Sequence, residues 1–91
     1  MNKSEMIDKV AEEAGLTKAD AERALNAVID TVIAEVKAGE EVMLVGFGTF
    51  KPSHRAARTG RNPRTGEAIQ IQASTVPVFK AGKAFKDKLK G

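Results

Sequence analysis

The 91-residue sequence has no cysteine, tryptophan or tyrosine, and only four phenylalanines. Without cysteine there is no disulfide framework, no thiolate zinc site and no cysteine nucleophile. That agrees with a reducing compartment. Long apolar runs are missing as well, and the longest fall far short of the roughly 20 residues that cross a bilayer. The opening Met1-Asn2-Lys3-Ser4-Glu5-Met6-Ile7-Asp8-Lys9-Val10 mixes acid and base and lacks the apolar centre of a signal peptide. These absences predict a soluble, cytoplasmic chain with no membrane partner.

The chemistry of catalysis is equally thin. The single histidine is His54, beside Ser53 and Arg55. A lone histidine without a partner carboxylate or a pocket is far more often a surface residue than a base. There is no phosphate-binding glycine motif and no metal-ligand cluster in the sequence. The expectation is a protein that is not an enzyme and takes neither cofactor nor metal. No aromatic residue lies between Phe50 and Phe79, so that stretch offers no stacking platform for single-stranded RNA.

What is present is unevenly distributed charge. The net charge is +3. Residues 1–50 carry five bases and ten acids, hence 5 − 10 = −5. Residues 51–91 carry ten bases and two acids, Glu67 and Asp87, hence 10 − 2 = +8. A basic half of this kind points either to a polyanionic partner or to a solvated face.

Hydrophobic periodicity divides the chain. Asn2 caps a first helix, with Glu5 placed to close a capping box. Met6, Ile7, Val10, Ala11 and Ala14 form its apolar stripe, and Gly15 stops it. Thr17 and Asp20 repeat the start signal. Ala21, Ala24, Leu25, Val28, Ile29, Val32, Ile33 and Val36 then keep helical spacing for about four turns, until Gly39. Beyond Gly39 the period drops to two. Glu41–Val45 reads as a strand, and Gly46-Phe47-Gly48 as a tight turn into Thr49-Phe50-Lys51. Glu67–Phe79 reads as a second long strand run, with Ile69 and Ile71 on one face and Gln70 and Gln72 on the other. Pro77 confines its far end to an edge or a bulge. A short basic helix, Lys83 to Lys90, follows Gly82 and turns Phe85 and Leu89 inward.

From Ser53 to Gly66 there is no large apolar side chain, so this stretch has nothing to bury. Its flanks are strand-like, and Asn62-Pro63-Arg64-Thr65-Gly66 is a turn with Asn at i and Pro at i+1. A hairpin arm projecting into solvent satisfies both facts, with a tip expected to be mobile until bound. Arg55, Arg58, Arg61 and Arg64 recur every three residues. On one continuous strand, Arg55 and Arg61 would share one face and Arg58 and Arg64 the other. A thin ribbon with guanidinium groups on both faces suits the narrow minor groove of duplex DNA. Pro63, exposed at the apex, either sets the turn or wedges between base pairs to kink the duplex, and the two roles are compatible. Base readout is poorly supplied, since Asn62 is the arm's main candidate. Phosphate contacts should therefore dominate, with strong salt dependence. Lys80, Lys83 and Lys86 extend the basic surface, while Lys88 and Lys90 read as solubilising.

A domain of this size buries only about 60% of its unfolded surface, and the arm adds nothing to a core. The long second helix is apolar over a wide arc, and every phenylalanine lies outside the first two helices. A core shared between two chains resolves the shortage.

Gly46-Phe47-Gly48-Thr49-Phe50, the run Arg55-Ala56-Ala57-Arg58-Thr59-Gly60-Arg61-Asn62-Pro63, and Thr65-Gly66 closely resemble the signature of the bacterial histone-like DNA-binding proteins, the family of HU and integration host factor. Met1-Asn2-Lys3-Ser4, Val76-Pro77 and Phe79-Lys80-Ala81-Gly82-Lys83-Ala84 fit too. The resemblance spans the chain without a large gap and is nearer the HU branch. It implies an α+β fold: two N-terminal helices, a three-stranded antiparallel sheet with a long protruding β-hairpin arm, and a short C-terminal helix. It further implies an intertwined dimer, of one chain or with a paralogue.

Within a single domain, 1–91, residues 1–40 would be the helical dimerisation base. Residues 41–52 and 75–82 would be a β-saddle, 53–74 the arm and 83–91 the last helix. The arms would clasp the minor groove. Pro63 would intercalate, and Arg55, Arg58, Arg61 and Arg64 would meet backbone and groove. Lys3, Lys83 and Lys86 would carry the DNA along the body. Such proteins bind double-stranded DNA largely without sequence preference, favour bent, nicked or gapped forms, and compact the nucleoid. Many members carry an acid at position 26 that pairs with Lys3. Here the residue is Asn26, which leaves Lys3 freer to meet phosphate.

A sequence-specific helix-turn-helix regulator is the competing class, since the first two helices and their glycine-containing turn look superficially like one. Those helices hold the acidic half of the chain, whereas a recognition helix should be basic or polar where it meets DNA.

Overall fold

The computed structural model describes residues 1–90. Three helices and five strands follow in the order α1 (Lys3–Ala14), α2 (Lys18–Lys37), β1 (Val42–Leu44), β2 (Gly48–Arg55), β3 (Arg58–Arg61), β4 (Ala68–Ile71), β5 (Ser74–Ala81) and α3 (Lys83–Leu89). The α+β arrangement expected from the sequence is present: two leading helices, a three-stranded antiparallel sheet, a hairpin ribbon and a short last helix. The chain separates into two compact units, the first ending at Ala34 and the second beginning at Glu35.

The helix ends are set by local chemistry. Asn2 Oδ1 accepts from the Glu5 backbone N–H at 2.9 Å, which satisfies one orphan donor of the first turn. The return half of the capping box, from the Glu5 carboxylate to Asn2, is not formed among the described residues. Thr17 Oγ1 accepts from Asp20 N–H at 3.1 Å and caps α2 in the same way. At the far end of α2, Gly39 adopts φ +88. Its N–H donates to Val36 O at 3.0 Å, and Glu40 N–H donates to Glu35 O at 2.9 Å. This paired closure needs a left-handed residue, the role that glycine fills without strain.

The three-stranded sheet runs β1-β2-β5, and β3-β4 forms a separate two-stranded sheet. The first strand is shorter than Glu41–Val45. It covers Val42–Leu44, because Leu44 O accepts from Phe47 N–H at 3.0 Å and closes a turn with Gly46 at φ +83. The run from Glu67 to Phe79 is likewise two strands rather than one, broken at Gln72-Ala73. Pro77 lies on β5, an edge strand, as its missing N–H requires. It faces Pro52 directly across the ladder. Gly82 N–H donates to Phe47 O at 2.8 Å, which makes that rung hydrogen-bonded. Rungs alternate, so the Pro52–Pro77 rung five steps on is a non-bonded one and loses nothing to its two prolines.

Packing in the second unit centres on the four phenylalanines. Phe79 lies between Phe50 at 4.8 Å and Phe47 at 5.1 Å between ring centroids, and Phe85 of α3 stacks on Phe47 at 5.4 Å. Gly48 makes that contact possible. A Cβ there would stand 2.6 Å from the Phe79 ring and 2.6 Å from the Lys80 carbonyl oxygen. Yet no large side chain is fully buried among the described residues, and the buried apolar positions are Ala11, Ala21 and Val36. Within the first unit Val28, Ile29 and Ile33 remain exposed on α2. Within the second, Met43, Leu44, Val45, Phe47, Phe79 and Leu89 do.

Gly48→Ala should destabilise the fold by about 1–3 kcal/mol, because backbone must move as well as a ring. Urea unfolding followed by circular dichroism checks this, and a loss below about 0.5 kcal/mol would show that the sheet absorbs a methyl there freely.

Candidate nucleic-acid interface

Strand alternation gives the β2–β5 pair two chemically different faces. Phe50, Pro52 and His54 share one with Phe79, Pro77 and Thr75. His54 Nδ1 lies 3.5 Å from Thr75 Oγ1 on this side. The opposite face carries Thr49, Lys51, Ser53 and Arg55 with Lys80, Val78, Val76 and Ser74, so its cations flank two half-buried valines. Of this cationic face, the sequence motifs pick out Arg55 and Lys80 but not Lys51. Strand alternation is the signal that finds it: Phe50 is held in the aromatic cluster, so its neighbour Lys51 falls on the opposite face.

Lys80 also lines a concavity with Lys83, Lys86 and Lys90, beside Thr49 and Asp87. Lys90, expected to be solubilising only, is grouped here with the other three, and its Nζ lies 3.9 Å from Asp87 Oδ1. Lys3 lies in the first unit, in a groove with Ser4, Asp8, Lys18 and Glu22. Asp8 there holds Lys18 at 3.3 Å, whereas Lys3 has no ion pair among the described residues.

The arm ribbon is built from β3 and β4, with Arg58 opposite Ile71, Thr59 opposite Gln70, Gly60 opposite Ile69 and Arg61 opposite Ala68. Its tip is held by five bonds, one of them from Glu67 N–H to Thr65 Oγ1 at 3.3 Å. Asn62 Oδ1 accepts from Arg64 N–H at 2.9 Å, and Asn62 O accepts from Gly66 N–H at 2.8 Å. Asn62 N–H donates to Glu67 O at 2.8 Å, and Arg61 Nη1 donates to Gly66 O at 3.3 Å. Gly66, at φ +74, is the extra residue of a bulge that sets Gly66 and Glu67 against Asn62. Pro63 sits at the first turn position, exposed. Asn62 is half-buried and holds the turn, a structural task beyond the base readout expected of it.

The ladder phase corrects the arginine assignment. At the base of the hairpin, the Phe47–Gly82 bond makes odd-numbered residues of β2 the hydrogen-bonded ones. At the tip, the Asn62–Glu67 bond makes even-numbered residues of β3 the hydrogen-bonded ones. Two ladders out of phase cannot fuse, and the chain breaks between them at Ala56-Ala57 and, directly across, at Gln72-Ala73. Hydrogen-bonded residues of an antiparallel pair all point to one side. Arg58 therefore continues the ribbon face of Arg55, and Arg61 points to the other. Arg64 belongs to the turn and to no strand. The strict alternation expected for one continuous strand, Arg55 with Arg61 against Arg58 with Arg64, does not hold. All four arginines are exposed, and on the whole stretch from Val42 to Gly66 there is no acidic residue.

A thin exposed ribbon of guanidinium groups, rooted in a cationic sheet face, defines a binder of extended polyanions. The profile of the bacterial DNA-binding protein family matches residues 1–90. The chain is 62% identical over 89 residues to DNA-binding protein HU of Clostridium pasteurianum, covering 98% of each chain. It is 59% identical over 90 residues to DNA-binding protein HU-alpha of Vibrio proteolyticus, covering 99% of this chain and 100% of that one. Its fold superposes on Anabaena HU, solved as a cocrystal with DNA, with a TM-score of 0.91 at 49% identity, over 98% of this chain and 97% of that one. The chain belongs to the bacterial DNA-binding protein family, and its similarity within that family is to HU proteins.

Proposed function

We propose that the chain is an architectural protein of the bacterial chromosome, which binds duplex DNA with little regard to sequence, bends it and helps compact it. The observation that carries this reading is the exposed, arginine-lined ribbon, whose one acid is Glu67 and which ends in an exposed proline. Each exposed guanidinium that meets a phosphate releases counterions, which gives affinity without sequence information. A two-stranded ribbon with small residues at Ala56, Ala57 and Gly60 is slim enough for the minor groove, whose walls present phosphate on both sides. Arg55, Arg58, Arg61 and Arg64 would meet that backbone. Pro63 would wedge between base pairs, as apolar side chains do in minor-groove architectural proteins. HU is itself a known example of that wedge, so the kink is carried over by family likeness and is not deduced from the turn geometry.

The cationic face of the β2–β5 pair would receive the duplex through Lys51 and Lys80, and the α3 concavity would extend its path through Lys83, Lys86 and Lys90. Lys3, without an acid at position 26, would add a flanking contact. The exposed apolar surfaces of α2 and of the β1–β2 turn would be covered by a second chain, a copy or a paralogue. Residues 1–40 would then serve as the shared base of a single functional domain, with the saddle, arm and last helix divided as the sequence implies. The role is structural rather than catalytic, and its place is the nucleoid. A helix-turn-helix mode is disfavoured because α1 and α2 carry exposed acids at Glu5, Asp8, Glu12, Glu13 and Glu22.

Two measurements test this reading. Binding to nicked and to intact duplex across a salt series should favour the nicked form, whose bending costs less, with log K falling steeply and linearly against log salt. Equal affinity for both forms would remove the bending argument. Pro63→Ala should reduce the bend angle seen by energy transfer between duplex ends while lowering affinity by less than about tenfold, because the charges stay. An unchanged angle would leave Pro63 as a turn residue only.

A further inference from the structure

One exposed apolar side chain of the second unit lies apart from the others. Strand β1 is an edge of the three-stranded sheet, with Val42 opposite Phe50, Met43 opposite Thr49 and Leu44 opposite Gly48. Residues directly opposite on neighbouring strands share a face. Val42 and Leu44 therefore lie on the side of Phe50 and the aromatic cluster. Met43 lies on the other side. It forms a row with Thr49 and Lys80, since Thr49 in turn faces Lys80 on β5. The cationic face of the sheet thus carries a thioether, and that side chain is 69% exposed. Burial on the aromatic side, within the chain or against a second one, leaves it open.

A buried methionine fills gaps in a core, but an exposed one has no gap to fill. What it keeps is the chemistry of its sulfur, which peroxides oxidise. The chain has no cysteine, and its three methionines hold all of its sulfur. Met1 and Met6 belong to the first unit. Met43 is the one that shares a face with Lys51, Arg55 and Lys80, where the cations await a polyanion.

We propose that Met43 is an oxidation site on the DNA-facing side of the sheet and that its sulfoxide weakens DNA binding, an inference that rests on the duplex-binding reading above. The oxidant is a peroxide. A sulfur lone pair attacks one peroxide oxygen, and the O–O bond breaks as the S–O bond forms. With hydrogen peroxide the other oxygen leaves as water, so sulfur is oxidised and peroxide reduced. The product is a polar group whose oxygen only accepts hydrogen bonds. Phosphate oxygens and the A·T edges of the minor groove are acceptors too. Pressed against a duplex, the new oxygen is stripped of water and meets no donor in return. Its donors are in the protein. The Thr49 hydroxyl is directly opposite, and the Lys80 ammonium lies one strand further along the row. The Cα of Lys80 is about 10 Å away, a gap that two long side chains close. A Lys80 held in this way is withheld from phosphate, so both effects lower affinity.

The test uses the full-length protein, hydrogen peroxide and a nicked DNA duplex, with each methionine followed by peptide mass spectrometry. Bound duplex should slow sulfoxide formation at Met43 more than at Met6. The oxidised wild-type protein should bind the duplex about tenfold more weakly than the untreated one. Methionine sulfoxide reductase with dithiothreitol should restore the affinity. Met43→Leu keeps the side-chain volume and has no sulfur to oxidise. The same peroxide treatment should cost it less than about twofold against its own untreated form. Met6→Leu should lose affinity as the wild type does. Protection of Met43 no greater than that of Met6 overturns the inference, and so does an equal loss in Met43→Leu. Loss prevented by Met6→Leu instead, with the dimer dissociating in sedimentation, would place the effect in the helices and overturn it as well. Failure of the untreated wild-type protein to bind the duplex would overturn the duplex-binding reading itself, and this inference with it.

Discussion

Apolar surface removed from water is what holds a small domain together, and in this chain most of the large apolar side chains are not removed from it. The fully packed positions are filled by alanine and one valine, while Val28, Ile29 and Ile33 of the long helix and Phe47 and Phe79 of the aromatic cluster stay open. Each large side chain fully buried contributes roughly 1.5–3 kcal/mol, and a domain's net stability is only about 5–15 kcal/mol. A handful of such residues left exposed is thus the difference between a folded and an unfolded chain. Covering them with a second chain makes folding and assembly one event. Two chains also bring two arms, and a clasp around a duplex needs a pair. The geometry of function follows from the shortage of core.

Freed from packing, the arm is shaped by its ligand's chemistry instead. Its two strands pair with each other and its turn is held by Asn62, Arg61 and Gly66. Its guanidinium groups have no carboxylate of their own to neutralise them between Val42 and Gly66. Such a segment is comfortable in water only as a highly charged thread, and it gains most from a dense row of phosphates. The same logic separates the two faces of the β2–β5 pair, aromatic on one side and cationic on the other.

Much of this is legible in the sequence. Asn2, Thr17, Gly15 and Gly39 mark the helix ends because capping is local chemistry. Asn62-Pro63 marks the tip for the same reason, and the lack of large apolar residues between Ser53 and Gly66 marks the arm. The faces of the arginines are not legible. Spacing by three predicts alternation only along a continuous pleat, and here two ladders are fixed independently, one by the Phe47–Gly82 bond and one by the Gly66 bulge. Their mismatch falls at Ala56-Ala57 and Gln72-Ala73, residues that carry no distinctive turn signal. The place of Lys90 is hidden for a related reason: its neighbours in the concavity come from β2, β5 and α3, and a charge run followed along the chain does not show them.

The dependence of folding on assembly is decided by dilution. Sedimentation combined with circular dichroism, taken down through nanomolar concentration, should show a dimer whose helical signal is lost as it dissociates. The thermal midpoint should likewise rise with protein concentration. A monomer that keeps its full helical signal and a concentration-independent midpoint would contradict the claim that one chain lacks a sufficient core.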